Sequence, residues 1–449
     1  MAMSFQHSPV WRFAVYRVHM RILFLSHYFP PEVNAPASRT FEHCREWVRE
    51  GHDVTVVTCA PNHPRGKVFE GYRNRLFQRE VVDGVKVIRI WSYLSANRGV
   101  RKRSLNYLSY LFSSILLSPF FPRADIVIST SPQFFNGLAG YVIGKIKRAP
   151  WLLEIRDLWP DSIREVDAMK DSWVLSVLER LEGFAYRKAN EIVPVTHAFK
   201  EYMIGKGIDA AKIDVITNGA NLALFTFSDD GGKSLRQSLG LGNRFVAAYV
   251  GTHGMAHHLE TVLEAADRLR DVPEIVFLMV GDGARKEALR QKKEEMGLDN
   301  VVMVDQLPKE RMPEIWALTD ASLVLLKKTP VFETVIPSKI FESMAMQRPI
   351  VLGVRGESQR IIEQSGAGIC IEPENGEALA EAVLTLYRSP QLRSEMGEKG
   401  REAVEQHYNR AVLARRYLDV MNKTVYGRAL PDEQVVKLAS GVDSSHGNG

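Results

Sequence analysis

Short runs rich in β-branched residues and leucine alternate with longer amphipathic ones along this chain, and the series runs through twice. In the first half the strand-like runs fall at 22–25, 54–58, 85–91, 126–129, 151–155, 192–195 and 215–216, with helical patterns at 37–50, 134–147 and 173–188. In the second half they fall at 245–250, 275–280, 301–304, 323–326 and 350–352, separated by helical patterns at 258–270, 285–296, 309–318 and 338–346. A strand followed by a helix and another strand makes a parallel pair with a right-handed crossover, so each half predicts a doubly wound α/β domain. The 449 residues exceed what a single hydrophobic core serves, which agrees with two domains. The seam follows Asn218-Gly219. Residues 219–243 read as a linker, because they hold the turn cluster Asp229-Asp230-Gly231-Gly232 and no long strand.

Composition excludes several classes. With 45% hydrophobic and 25% charged residues the chain is neither fibrous nor disordered. A net charge of +5 is too small to argue for nucleic acid, and it suits anionic ligands or an anionic membrane surface. Cys44, Cys59 and Cys370 are odd in number and far apart, so neither a disulfide framework nor a cysteine zinc site is expected, and a reducing cytoplasmic setting is. Residues 1–19 lack the apolar core of a secretory signal and read as an extension ahead of Met20. The segment 105–121 is too short and too interrupted by Asn106, four serines and Pro119 to span a bilayer. Asn106, Ser109 and Ser113 recur on one helical face, with Leu105, Leu108, Phe112 and Ile115 on another, and Arg98, Arg101, Lys102 and Arg103 precede the run. Two readings stand: a buried helix of the first domain, or a helix lying in the interface of an anionic leaflet.

Doubly wound sheets bind ligands at the carboxyl ends of their strands. The loop after the first strand carries no G-x-G-x-x-G, no P-loop motif occurs, and the absence of Asp-x-Asp weakens metal-dependent sugar transfer. Val250-Gly251-Thr252-His253-Gly254, Val280-Gly281-Asp282-Gly283 and the run from Gly353 to Ser358 each follow a strand with small residues. There free amides favour an anion, and although one such loop is an ordinary turn, three in succession predict a nucleotide site. The sharpest segment runs from Thr334 to Val351. Lys339 and Glu342 share a helical face, where a carboxylate accepts hydrogen bonds from ribose hydroxyls and a lysine steadies a departing diphosphate; the plainer alternative is a solvated ion pair. Asp157 reads either as a residue orienting substrate or as a helix cap, and His27, alone at a strand end, as structural.

Phe341-Glu342-Ser343-Met344-Ala345 followed by Pro349-Ile350-Val351 resembles the nucleotide-binding helix of retaining glycosyltransferases of family 4. Asn218-Gly219, with Asn221 in place of the family's aspartate, Gly281-Asp282-Gly283 and a last strong helix extend the likeness over about residues 20–425. Ser26-His27-Tyr28-Phe29-Pro30-Pro31-Glu32 and the run from Glu154 to Asp161 are most similar to the WbuB-type branch, whose members resemble O-antigen and capsule sugar transferases. The resemblance implies a GT-B fold, two Rossmann-like domains facing across a cleft. Residues 20–218 would bind the acceptor, 244–407 the nucleotide sugar, 408–425 would cross back to the first domain, and 426–449 would form a flexible tail.

By the same resemblance Glu342 is the second glutamate of the family's E-x7-E motif. The first falls at Thr334, with Glu333 one residue earlier to serve in its place. Asp157 stands beside the position of a catalytic His-Asp pair, with Arg156 where histidine is common. His257 and His258 replace the Arg/Lys pair that holds the donor diphosphate, and Lys339, then Arg285, supply that charge instead. The expected catalytic set is therefore Asp157, Glu333 and Lys339. The expected donor-binding set is Gly251, Thr252, Gly281, Gly283, Arg285, Ser338, Lys339 and Glu342, with neither metal nor cofactor. The implied donor is a UDP-sugar carrying an N-acetylated hexose or a 6-deoxyhexose. The expected acceptor is a saccharide or one linked to polyprenyl diphosphate, the latter reached through the basic and aromatic segment 98–121 by a cytoplasmic enzyme peripheral on the inner face of the plasma membrane. A UDP-sugar 2-epimerase of the same fold and a non-catalytic nucleotide-sugar-binding partner are the alternatives.

Overall fold

The structure, a computed structural model, describes residues 19–63, 66–95, 100–131, 134–158, 173–226 and 231–427. The extension at 1–18, the tail beyond 427, the Asp229-Asp230 turn and Trp159-Pro160-Asp161 lie outside the described residues.

The first sheet comprises β1 (Arg21–Leu25), β2 (Asp53–Cys59), β3 (Phe77–Val82), β4 (Val85–Ile90), β5 (Ile126–Thr130), β6 (Trp151–Ile155) and β7 (Glu191–Pro194). Its order is β3-β4-β2-β1-β5-β6-β7, parallel throughout except where β3 runs against β4. The second sheet comprises β8 (Phe245–Val250), β9 (Ile275–Val280), β10 (Val301–Val304), β11 (Ala321–Leu325), β12 (Ile350–Gly353) and β13 (Gly368–Cys370), in the parallel order β10-β9-β8-β11-β12-β13. Helices cover both faces of each sheet, so the central strands are buried on both sides and read as unbroken apolar runs. This is the two-domain GT-B arrangement.

Two strands escaped the sequence reading. β3 is an edge strand, and its alternating pattern Phe-Gln-Arg-Glu-Val-Val is half exposed; it turns into β4 through Asp83-Gly84, both at positive φ, which matches the right-handed strand twist. β13 has only three residues. The expected strand at 215–216 is absent as such: Ile213 makes a single bridge to Ile192 beyond β7.

The helix Arg410–Tyr426 crosses back from the second domain and completes the first domain's core. Its Leu413, Tyr417 and Met421 join Phe24 and Trp47 in one cluster, and the Trp47 indole donates to the Ala414 carbonyl at 2.9 Å. Each such side chain taken out of water contributes about 1.5–3 kcal/mol. Beneath it Arg39 is buried, donating to Glu154 at 2.8 Å and to the carbonyls of Ile216 and Thr217 at 2.8 and 2.7 Å. That knot ties the first helix (Ala35–Arg49) to the start of the interdomain junction.

The 105–121 segment forms the helix Val100–Leu117 and a short turn, Ser118–Phe120. Asn106, Ser113 and Ser114 point inward, whereas Leu105, Phe112, Leu116 and Phe120 face solvent, with Phe112 66% and Leu116 74% exposed. Hydrogen bonds set this orientation: Asn106 donates to the Tyr93 carbonyl, and the Tyr93 amide donates to Ser109 at 2.7 Å. Tyr110, Leu111 and Leu117 supply the buried apolar contact. One face is thus core and the other an exposed apolar stripe. Among the described residues no helix is long and apolar enough to cross a membrane.

Candidate active site

The carboxyl ends of both sheets face a cavity of about 370 Å³ between the domains. Gly251, Thr252, Gly281, Ser338, Lys339 and Glu342 all line it.

β8 and β9 end in glycines because the loops after them touch. A Cβ on Gly281 would lie 1.8 Å from the Gly251 carbonyl oxygen. The amides of Gly251 and Gly281 are not free for an anion, as the sequence suggested; they donate to Val280 and Val304 carbonyls at 2.9 and 3.1 Å. The glycines instead permit close approach, and a Cβ on Gly251 would lie 2.8 Å from Lys339 Nζ. That Nζ is buried, with no hydrogen-bond partner among the described residues, 3.7 Å from the centre of the Tyr249 ring. Burial lowers the Lys339 pKa to about 7, and the Glu342 carboxylate acts in the opposite direction.

Glu342 lies one turn further along the helix Lys339–Ala345 and accepts from the Trp316 indole at 3.4 Å. Burial raises its pKa, and Lys309 opposes the rise. From the first domain Glu42 reaches the same wall. It pairs with Lys309 at 2.5 Å and with Arg410 at 3.4 Å, so two carboxylates and two cations from both domains meet beside the cavity. Desolvation would raise the Glu42 pKa, but Arg410 and Lys309 outweigh it and hold it low. Asn34 caps the first helix, accepting from the Ala37 amide at 2.8 Å, while its side-chain nitrogen has no partner among the described residues. His257 lines the cavity, and His253 is buried behind the two glycine loops; burial lowers both pKa values to about 4, so both are neutral.

The remaining expected residues lie apart from the cavity lining. Gly283 packs on the His253 backbone, where a Cβ would come within 2.5 Å of the carbonyl oxygen. Arg285 turns outward to Glu260 at 2.5 Å. Glu333 ends the short helix Pro330–Glu333 and is exposed. Asp157 follows β6, its amide donating to Ser131 at 3.3 Å; burial pushes its pKa up to about 6 while Arg156 pulls it down. Arg156 in turn donates to the Pro36 carbonyl at 3.2 Å, which places this strand end against the first-domain loop that lines the cleft. Glu42, Lys309 and Arg410 carried no local signal. Among the described residues no group of three or more His, Cys, Asp or Glu side chains is disposed to hold a metal ion.

Two family models match the chain, a glycosyl transferase 4-like domain over residues 34–219 and glycosyl transferases group 1 over residues 233–403. The chain belongs to the GT4-type glycosyltransferases. Among its relatives is a protein of Escherichia coli (strain K12) named as a colanic acid biosynthesis glycosyl transferase, WcaI, 26% identical over 89% of this chain and 99% of the relative. Among solved structures, sucrose-phosphate synthase from Thermosynechococcus elongatus superimposes with a TM-score of 0.73 at 17% identity, covering 91% of this chain and all of that one. Anabaena HepE in complex with UDP-glucose gives 0.67 at 17% identity, covering 90% of this chain and 100% of the other. As a GT4-type glycosyltransferase the chain is an enzyme of group transfer, which sets aside both the epimerase and the non-catalytic alternative.

Proposed function

We propose that this GT4-type enzyme transfers an N-acetylated hexose or a 6-deoxyhexose from a UDP-sugar to a saccharide on polyprenyl diphosphate. The product would belong to a cell-surface polysaccharide, and configuration at the anomeric carbon would be retained. One observation carries the donor reading: an unpartnered lysine ammonium packs against the Gly251 loop in a cavity that Gly281 also lines, with a carboxylate one helical turn away. Glu342 is then the acceptor for the ribose hydroxyls, and Lys339 the cation that meets the diphosphate. The UDP-glucose bound to the Anabaena relative supports uridine as the nucleoside, and the colanic acid relative supports polysaccharide assembly.

In the reaction the bond from the anomeric carbon to the diphosphate oxygen breaks first, through an oxocarbenium-like state. The acceptor hydroxyl adds on the face the leaving group vacates, and its proton passes to the departing oxygen. The protein's main task is to stabilise charge on the diphosphate, and a buried ammonium does so more strongly than one in water. Side-chain cations suffice for this, so no metal is proposed. Asp157 would orient the acceptor hydroxyl or the donor sugar from the first domain, and Glu333 would reach the donor sugar only by a shift of its loop.

A thermal-shift series across UDP-, GDP- and dTDP-sugars tests the donor. A UDP-sugar at 100 times its Kd should stabilise the protein by about 2.7 kcal/mol. Glu342→Ala should abolish the shift and leave the ligand-free melting unchanged. Failure of every UDP-sugar to raise the melting temperature would overturn the reading.

The acceptor side rests on the stripe of Leu105, Phe112, Leu116 and Phe120 beside Lys102, an amphipathic face suited to a peripheral position on the inner leaflet of the plasma membrane. Sedimentation with phosphatidylglycerol vesicles should carry the protein down, and Phe112→Asp with Leu116→Asp should release it. Indifference to anionic vesicles would remove the membrane from the proposal.

A further inference from the structure

The run from Gly353 to Ser358 is the third of the glycine loops that the sequence offered to an anion, yet it lies outside the lining of the donor cavity. Its own carboxylate is engaged elsewhere. Glu357 opens the helix Glu357–Ser365 after β12 and is buried, 5% exposed. Its two carboxylate oxygens accept from the backbone amides of His197 and Ala198, each at 2.9 Å, and those amides belong to the first domain. They begin the helix His197–Gly205, which follows β7 and is capped from its own side by Thr196, whose hydroxyl accepts from the Phe199 amide at 3.1 Å. The first amides of a helix have no partner within it. Here one is met by its own domain and two by a side chain of the other, at the positive end of the helix dipole, where a carboxylate is stabilised.

On the second-domain side the neighbours of Glu357 grip the stretch that leads into the donor helix. A Cβ on Gly356, which stands at φ +76°, would lie 2.0 Å from the Glu333 carbonyl oxygen. Ser358 is buried and donates to the Val335 carbonyl at 2.8 Å. Ile336, next along the chain, is fixed in the second domain's core, and Pro337, Ser338 and Lys339 then line the donor cavity. A continuous set of contacts therefore runs from the first domain's helix, through Glu357 and its neighbours, to the residues that begin the donor helix.

Resting on the donor reading above, we propose that Glu357 is a positioning residue that couples the docking of the two domains to the donor site. With its carboxylate on the first domain's helix, residues 356–358 hold the chain at 333–335 and so set Lys339 against the diphosphate. When the domains part, that hold slackens and the nucleotide binds more weakly. The coupling is reciprocal: a nucleotide that fixes the donor helix must favour the docked arrangement by the same factor. The donor is thereby held firmly only when Asp157 and the rest of the first domain are in place.

Hydrogen exchange and titration calorimetry on the full chain, with UDP as the probe, test the assignment. In the wild-type protein UDP should slow amide exchange over 197–199 and 331–336, although none of these residues lines the donor cavity. Glu357→Gln sets a side-chain amide against one of the two backbone donors. Exchange at His197 and Ala198 should quicken about tenfold or more, as for a lost hydrogen bond to a charged group, and exchange over 331–336 should quicken with it. The dissociation constant for UDP should rise about fivefold or more. Thr196→Val loosens the same helix from its own side and should leave both UDP affinity and exchange over 331–336 unchanged. Unaltered UDP affinity in Glu357→Gln would overturn the proposal. So would weaker UDP binding with unchanged exchange over 331–336, since the loss would then not pass through that stretch. Wild-type amides at 197–199 that ignore UDP would overturn it too, and that measurement needs no variant. A wild-type protein that binds no UDP sinks the donor reading itself, whereas UDP binding that survives intact in Glu357→Gln removes only the role of Glu357.

Discussion

Lys339 offers a test that depends on the sign of a titration. In the ligand-free protein burial holds its pKa at about 7. A sugar nucleotide brings two diphosphate charges against the ammonium and should return the pKa toward the ordinary lysine value of about 10.4. Below pH 7 the lysine is already charged, so affinity is constant there. Above pH 7 binding has to take up a proton, and the dissociation constant rises about tenfold per pH unit until the bound-state pKa is reached. Between pH 6.5 and 8.5 the loss is about 25-fold, or about 2 kcal/mol. His253 and His257, with pKa values near 4, stay neutral across this range and add nothing to the slope.

Calorimetry with UDP-N-acetylglucosamine measures this directly, because its diphosphate diester does not titrate there. Two buffers of different ionisation heat should report uptake of about one proton at pH 8.5. Lys339→Arg keeps the charge at every pH and should flatten the profile. A flat wild-type profile, or a slope that persists in Lys339→Arg, would refute the assignment of Lys339 to the diphosphate.

Other outcomes follow from the same geometry. Lys339→Met should stabilise the ligand-free protein near pH 7, because a depressed lysine pKa costs stability below that pH and the cost fades as pH rises toward 10; urea unfolding at pH 7 and pH 10 should show the gain only at the lower value. Gly281→Ala forces a Cβ into the Gly251 carbonyl oxygen and should remove UDP binding and about 3 kcal/mol or more of stability, read from the urea midpoint; a variant that binds UDP normally would contradict the contact. Glu42→Ala leaves Lys309 and the buried Arg410 without their interdomain partner, for an expected loss of about 2–4 kcal/mol and a larger radius of gyration in small-angle scattering. An unchanged midpoint and radius would show that the contact holds nothing together.

Much of the fold was legible because its central strands are buried on both faces. The runs 245–250 and 275–280 coincide with β8 and β9, each continuous, apolar and fully buried. β3 was hidden because an edge strand with one wet face has a weak hydrophobic signal, although its Asp-Gly turn was available. On the donor side, Gly251 and Gly281 could be placed at strand ends from the alternation alone, and Glu342 from its helical face and the family resemblance, and all three line one cavity. Arg285 could not: its charge is taken by Glu260, 25 residues earlier, and no local pattern announces such a pairing. The same holds for Glu42 and Lys309, separated by 267 residues, since only the folded chain brings them together. The helix Val100–Leu117, for which the sequence left a buried and an interfacial reading open, has one buried face and one exposed apolar face. Its serines and Asn106 hydrogen-bond inward to neighbouring backbone, so polarity in the sequence did not mean exposure.

Tyr417 packs against Trp47, their rings 5.2 Å apart, though the two belong to opposite ends of the chain. On a ribosome adding about 5–20 residues per second, the amino-terminal lobe is complete at about residue 218, roughly 10–40 s before the segment that seals it. Throughout that interval a large aromatic surface stands open to whatever else is in solution. Nascent chains should therefore need a chaperone, and halves produced separately should precipitate unless they are mixed.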